Sequence, residues 1–175
     1  DPSLIVWIGR LEPYKRAGDL LESLPEVIRS IPAARAAIIG AGSSRLTLEQ
    51  RVRELGLEAS VTFTGFVSES EKVEWLRRAA VTVNTSEKEG WGMTVIEGNA
   101  CGAPSVSSNV HGLRDAVRDG KTGLLFPCGD TGALAQSLIR VLGEEGLRED
   151  LAAQGLVWAQ RFEWDRVADD TLALI

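Results

Sequence analysis

Histidine and cysteine are scarce in this sequence: His111 is the sole example of the first, and Cys101 and Cys128 are the only two of the second. With so few ligating side chains and no Cys-x-x-Cys spacing, a structural zinc site is unsupported. The two distant thiols read as reduced and buried or half-buried, a state that suits a cytoplasmic protein. Long apolar runs are missing as well. None approaches the roughly 18 residues needed to span a bilayer, and the opening DPSLIVWIGR lacks the pattern of a signal peptide and reads as a strand. Basic charge is in deficit, with 19 Lys and Arg against 25 Asp and Glu and a net charge of −6. General affinity for nucleic acid is therefore not expected, and an anionic ligand needs a local cluster of cations or a helix N-terminus.

What is present is alternation. Short apolar runs such as SLIVWIG and AAIIGAG, each stopped by glycine, have the length and composition of strands buried on both faces. Between them lie helical patterns. AGDLLESLPEVIRSIP places Leu20, Leu24, Val27, Ile28 and Ile31 on one stripe before Pro32, and RLTLEQRVRELGL does the same with Leu48, Val52 and Leu55. SVTFTG, AVTVNTS, APSVSS and TGLLF continue the strand series, and everything from Thr131 onward reads as helix, ending with WDRVADDTLALI. Strands separated by single helices imply right-handed crossovers. The expected fold is α/β and Rossmann-like, a parallel sheet with helices on both faces, and residues 1–175 suit one domain.

In such sheets ligands lie beyond the carboxyl ends of the strands, which directs attention to five loops. The first holds Gly9, Arg10 and Lys15, a fork and a mobile point charge that suit a diphosphate and equally suit an ordinary surface. The second, Gly40-Ala41-Gly42, permits close backbone approach to a ligand, or simply makes a tight turn. As a dinucleotide fingerprint it fails, because Arg45 stands where a third glycine belongs, and a nicotinamide-dependent oxidoreductase is disfavoured. The fourth is SEKEGWGMTVIEGNACGAP. Gly90-Trp91-Gly92 precede a helix of about Gly92 to Cys101, so the amides of Gly92, Met93 and Thr94 point unpaired N–H groups outward, an arrangement that suits phosphate.

Glu89 and Glu97 bracket that helix start. Three readings are open: an acid–base pair, two clamps on one ligand, or a helix-dipole acid beside a solvated one. If both were helical they would stand roughly 12 Å apart along the axis, against roughly 5–9.5 Å for a glycosidase pair, which weakens the first reading. His111, in the fifth loop, reads as an ordinary polar residue rather than a catalyst. Trp75 and Trp158 read as core, and Trp91 as packing or as a platform at the cleft.

Taken together, GRLEPYK, IIGAGSSR, VTFTGFVSESE, EGWGMTVIEGNACGAP, HGLRDAVRDGKTGLLFPCGD and FEWDRVADDTLALI resemble the carboxyl-terminal domain of group 1 glycosyltransferases, retaining enzymes of the GT-B architecture. The resemblance covers nearly the whole chain, and the Glu-x7-Glu element is its most specific part. It implies a domain that binds a nucleoside-diphosphate sugar and transfers a hexosyl group to an acceptor hydroxyl. By the same resemblance, Arg10 and Lys15 hold the diphosphate and stabilise the departing nucleotide, and Glu89 contacts the transferred sugar. Glu97 holds the ribose hydroxyls, and amides near Met93 and Thr94 meet the phosphates. The backbone at Phe66 and Val67 reads the base, and the Gly40–Gly42 turn closes over the nucleoside.

No cofactor is implied, and no metal is needed to bind the diphosphate, in keeping with the lack of an Asp-x-Asp motif. The partners implied are the sugar donor, an acceptor of unspecified kind and an amino-terminal Rossmann-like domain absent from this chain. Any peripheral membrane association would run through that domain. Alone, the chain is expected to bind donor weakly and to turn over little. The alternative is a non-catalytic nucleotide-binding or scaffold module of the same fold. The sequence departs from the family pattern at Arg16, where glycine is usual, at His111-Gly112, where Gly-Gly is frequent, and at Asn99, where an apolar residue is common.

Overall fold

The computed structural model describes residues 1–162. Six strands form one sheet: β1 (Leu4–Ile8), β2 (Arg35–Ile39), β3 (Val61–Gly65), β4 (Val81–Asn84), β5 (Ser105–Ser108) and β6 (Gly123–Phe126). Their spatial order is β3-β2-β1-β4-β5-β6, and every pairing is parallel. The helices are α1 (Ala17–Ser30), α2 (Arg45–Glu54), α3 (Glu69–Arg78), α4 (Met93–Ala100), α5 (Leu113–Ala116), α6 (Thr131–Gly143) and α7 (Glu145–Ala159). The chain winds outward from β1 to β3, returns to the middle at β4, and winds outward the other way. Strand order therefore reverses between β1 and β4, and the loops leaving those two strands diverge to leave a crevice at their carboxyl ends.

The alternation within β1 shows why the sheet is covered twice. Ile5 and Trp7 enter a core with Leu20, Leu24 and Val27 of α1 and with Leu134, Leu138 and Val141 of α6. Leu4 and Val6, one residue out of phase, meet Leu76 of α3 together with Ala37 and Ile39 of β2. A strand with both faces buried loses the polar alternation of an exposed sheet, which is the signal that SLIVWIG carried. Each fully buried aliphatic side chain of this kind contributes roughly 1.5–3 kcal/mol.

The α/β, Rossmann-like expectation holds for the described residues, and several local readings change. Trp75 and Trp158 are half-buried rather than core. Trp75 carries the Arg78 guanidinium over its ring at 4.8 Å, and Trp158 donates its indole N–H to the Ala116 carbonyl at 2.8 Å. Helix α1 stops at Ser30, before Pro32, and includes Pro25. Helix α5 has four residues, too few for any period to register in sequence. Cys101 is half-buried as expected but Cys128 is exposed; both are free, and burial pushes both thiols above their ordinary range. Asn99 is fully buried against Gly155 of α7, and neither polar atom of its amide finds a partner among the described residues. An apolar residue, as the family pattern has, would avoid that desolvation cost. The WDRVADDTLALI segment lies outside the described residues. Among those described, no helix is long and apolar enough to cross a membrane.

The turn from β1 into α1 explains the departure at Arg16. It is the one non-glycine residue with positive φ among the described residues, at φ 52 and ψ 37. For an L-residue this conformation costs about 1–2 kcal/mol, because Cβ crowds the following carbonyl oxygen. Its guanidinium is no extra cation for the crevice, since Nε and Nη2 donate to Asp19 at 2.8 and 3.0 Å. Arg16→Gly is expected to be more stable than Arg16→Ala by about 1 kcal/mol, because both variants lose the Asp19 contact and only glycine relieves the backbone. Urea unfolding of the two variants measures the difference, and equal midpoints would mean that position 16 carries no strain.

Candidate functional site

The loops after β1 and β4 are fastened to each other beneath the crevice. Trp7 Nε1–H donates to Thr85 Oγ1 at 3.1 Å, and the Thr85 hydroxyl donates to the Lys15 carbonyl at 2.8 Å. Thr85 is fully buried, so its hydroxyl has no water to fall back on and the two bonds fix the backbone that carries Lys15. A third link runs from the Glu87 N–H to the Tyr14 carbonyl at 2.9 Å. Neither Thr85 nor Tyr14 stood out in sequence. A threonine at a strand end and a tyrosine in a loop carry no pattern until the loops are seen to meet.

On that base the charged residues come together. Lys15 Nζ donates to both oxygens of Glu89, at 2.8 and 2.6 Å, in a pair only 16% and 21% exposed. Arg10 Nη2 donates to the Tyr14 hydroxyl at 2.6 Å. Arg10, Tyr14, Lys15, Lys88, Glu89 and Gly90 line one polar hollow. The residues singled out as diphosphate ligands and sugar ligand thus share a single wall.

The loop after β4 that carries Glu89 and Gly90 runs directly into α4. Gly92, at φ 80, precedes the helix without a side-chain cap. Among the described residues the amides of Gly92, Met93 and Thr94 find no acceptor, while Val95 N–H already bonds the Gly92 carbonyl at 2.9 Å. The Thr94 hydroxyl is turned inward onto Asn84 Oδ1 at 2.7 Å, leaving its amide as the outward donor. Unpaired N–H groups and the helix dipole together favour negative charge at this end. Trp91, open from the sequence to packing or to a platform at the cleft, packs its ring edge-on against Phe162, with centroids 5.0 Å apart, and lines neither of the hollows described here.

A second cavity, of about 330 Å³, adjoins the first and shares Arg10 with it. Gly40, Phe66 and Val67, assigned together to the nucleoside by the resemblance, line it along with Gly9, and Phe66 is 88% exposed at its rim. Gly42 does not line it. A Cβ there would lie 2.4 Å from the Leu11 carbonyl oxygen, so this glycine lets the loop after β2 dock on the loop after β1 rather than approach a ligand. Lys72 of α3 also lines the cavity and was missed in sequence, where it looks like one more charge on a solvated helix face. Its Nζ reaches Glu97 at 2.9 Å and Glu69 at 2.8 Å. Burial works to lower the Lys72 pKa, but the bonds to Glu69 and Glu97 outweigh it and hold the group above its usual range, so it remains an ammonium.

The two acids on either side of the start of α4 are therefore committed to different lysines, one in each hollow. Glu89 is in the loop and Glu97 is in the helix. This geometry suits two clamps along one extended ligand better than an acid–base pair across one bond. His111 is exposed, 3.4 Å from Asp115, and takes no part. Its neighbour does: a Cβ on Gly112, at φ 85, would lie 2.2 Å from the Glu89 carbonyl oxygen. Among the described residues no group of three His, Cys, Asp or Glu side chains gathers to hold a metal ion.

Comparison with known proteins places these features in context. The sequence profile of the family described as glycosyl transferases group 1 matches residues 1–158. D-inositol 3-phosphate glycosyltransferase of Acidothermus cellulolyticus is 33% identical over 183 residues, which is 99% of this chain and 41% of that protein. The chain thus spans about two fifths of the length of the curated relatives it matches. Among solved structures, S. aureus TarM in complex with fondaparinux, alpha-GlcNAc-glycerol and UDP superposes with a TM-score of 0.90 at 22% identity, over 98% of this chain and 35% of that one. The carboxyl-terminal domain of a group 1 glycosyl transferase, LpcC from Francisella tularensis, gives 0.82 at 24% identity over 91% of this chain and 85% of that one. The fold is the carboxyl-terminal half of a GT-B architecture.

Gly112→Ala tests how the crevice is built. The added methyl has no room beside Glu89, and the backbone is left-handed, so a loss of about 1–3 kcal/mol in urea unfolding is expected. Whatever ligand the crevice takes is expected to bind at least tenfold more weakly, because the Glu89 loop must move. A variant with wild-type stability would show that the contact is slack.

Proposed function

Because the chain belongs to the group 1 glycosyl transferases, we propose that its crevice is the donor half of a glycosyl-transfer site. It holds a nucleoside-diphosphate sugar, and a further domain outside this chain brings the acceptor hydroxyl. One observation carries the reading: two cations, Arg10 and Lys15, line one hollow where the β1 and β4 loops meet, and the loop after β4 runs on into a helix whose first amides are unpartnered, in a protein whose overall charge is −6. A diphosphate is the ligand that such a patch suits, and UDP is named in the TarM complex.

In this reading the diphosphate lies against the start of α4 between Arg10 and Lys15. The nucleoside extends into the cavity lined by Gly9, Gly40, Phe66 and Val67, with Glu97 accepting from the ribose hydroxyls. The transferred sugar lies on the other side, where Glu89 accepts from its hydroxyls. Both carboxylates are held by lysines, so ligand hydroxyls meet acceptors whose rotamer freedom is already restricted.

Transfer then breaks the bond from the anomeric carbon to the terminal phosphate oxygen. The acceptor oxygen forms its bond on the same face, so configuration is retained, and the acceptor proton leaves with the departing phosphate. Negative charge builds on the leaving group, and Arg10, Lys15 and the α4 amides stand ready for it without reorganising. These cations and amides do the neutralising, so no metal ion is called for. By itself the chain is expected to bind donor weakly and to transfer little, since this reading assigns the acceptor to a further domain.

A thermal-shift and calorimetric screen of this chain with UDP, GDP, ADP and their sugar conjugates is expected to find at least one micromolar-to-millimolar ligand. Absence of binding at millimolar concentration by every member would identify a scaffold that has kept only the fold. In the longer protein, Arg10→Ala and Lys15→Ala are each expected to lower turnover about 10²-fold or more. An unchanged turnover would remove both residues from the chemistry.

A further inference from the structure

Lys88 has no role in the donor reading above, yet it lines the same hollow as Arg10, Lys15 and Glu89. Its Nζ stands 5.7 Å from the centre of the Tyr14 ring, with Lys15 Nζ at 5.4 Å and the Arg10 guanidinium carbon at 5.9 Å. One aromatic ring thus gathers cations from two loops: Arg10 and Lys15 from the loop after β1, and Lys88 from the loop after β4. Tyr14 is well held for that task. Its hydroxyl accepts from Arg10, and its carbonyl accepts the Glu87 N–H next to Lys88.

The charges in the hollow do not balance. Glu89 neutralises Lys15, but among the described residues Arg10 and Lys88 form no ion pair. These two cations on one ring repel each other, and the ring's quadrupole offsets only part of that repulsion. Glu12, whose carboxyl is held below its usual range by its bonds to Ser43 and, less strongly, by the Arg10 charge, does not line the hollow. The lining of the hollow therefore has an excess of about two positive charges. Arg10 and Lys15 would suffice to hold phosphate oxygens. A third cation matters most where the negative charge is greatest, at a terminal phosphate.

Resting on the donor reading above, we propose that Lys88 is a third phosphate ligand, directed at the phosphate that carries the sugar, and that Tyr14 is the positioning residue that holds it there. Breaking the sugar–phosphate bond leaves one more ionisable oxygen on that phosphate. Lys88 accordingly favours the nucleoside diphosphate over its sugar ester, and a diphosphate over a monophosphate.

The test is calorimetry on this chain with whichever of UDP, GDP and ADP binds most tightly, and with the matching monophosphate. Lys88→Met is expected to weaken the diphosphate about tenfold and the monophosphate less than twofold, and Lys88→Arg is expected to restore most of the loss. Tyr14→Leu is expected to lower the diphosphate-to-monophosphate preference as Lys88→Met does, a ratio that a merely destabilised loop would not move. If Lys88→Met leaves that ratio unchanged, or weakens both nucleotides equally, the assignment of Lys88 is wrong while the donor reading stands. If the unaltered chain binds none of the nucleotides, the donor reading falls and this inference falls with it.

Discussion

Thr85 Oγ1 stands between the indole N–H of Trp7 and the carbonyl of Lys15, and through it the loop after β1 is joined to the loop after β4. The fold supplies the reason those loops are neighbours. β1 and β4 lie side by side with Trp7 opposite Val83, and the chain departs from them in opposite directions across the sheet. A crevice at a topological reversal is open by construction, so something must keep its two walls in register. A buried hydroxyl with both bonds made does so at little cost, because an unpaired polar group at that depth would be worse than either alternative.

The charged groups above that joint are arranged as pairs that can change partners. Lys15 with Glu89, and Lys72 with Glu97, are partly buried, close enough to order the side chains and exposed enough to be reached from solvent. Ion pairs in this intermediate setting contribute modestly to stability, because the Coulomb gain is largely offset by lost hydration and lost rotamer freedom. That near balance suits a binding site. A ligand bringing phosphates to the lysine and hydroxyls to the carboxylate exchanges one set of charge-assisted hydrogen bonds for another, with no charge left bare.

Close contacts between loops define the rest of the architecture, and they reassign several residues. Gly42 serves the docking of one loop on another, and Gly112 makes room for Glu89. Trp91, read as packing or as a platform, packs its ring against Phe162. Arg16, which stands where the family pattern has glycine, is held by Asp19 on a strained turn that glycine would fit better. In each case the residue type was noticed correctly, and its job depended on what the neighbouring loop placed against it.

Periodicity made the architecture legible: six apolar runs separated by amphipathic stretches allow little but a covered parallel sheet, because every strand has two faces to bury. The loops that carry Arg10, Lys15 and Glu89, and the helix start that precedes Glu97, follow from that order, since parallel strands send all their carboxyl ends to one edge. Local rules also located the start of α4, where Gly92 and the residues after it leave amides unpaired. Partnership was beyond the sequence. That Lys72 of α3 would hold Glu97 of α4, that Tyr14 would gather three cations, and that Thr85 would tie two loops all depend on contacts between segments far apart in the chain. Spacing along a chain encodes which face a residue occupies; only packing decides which other face it meets.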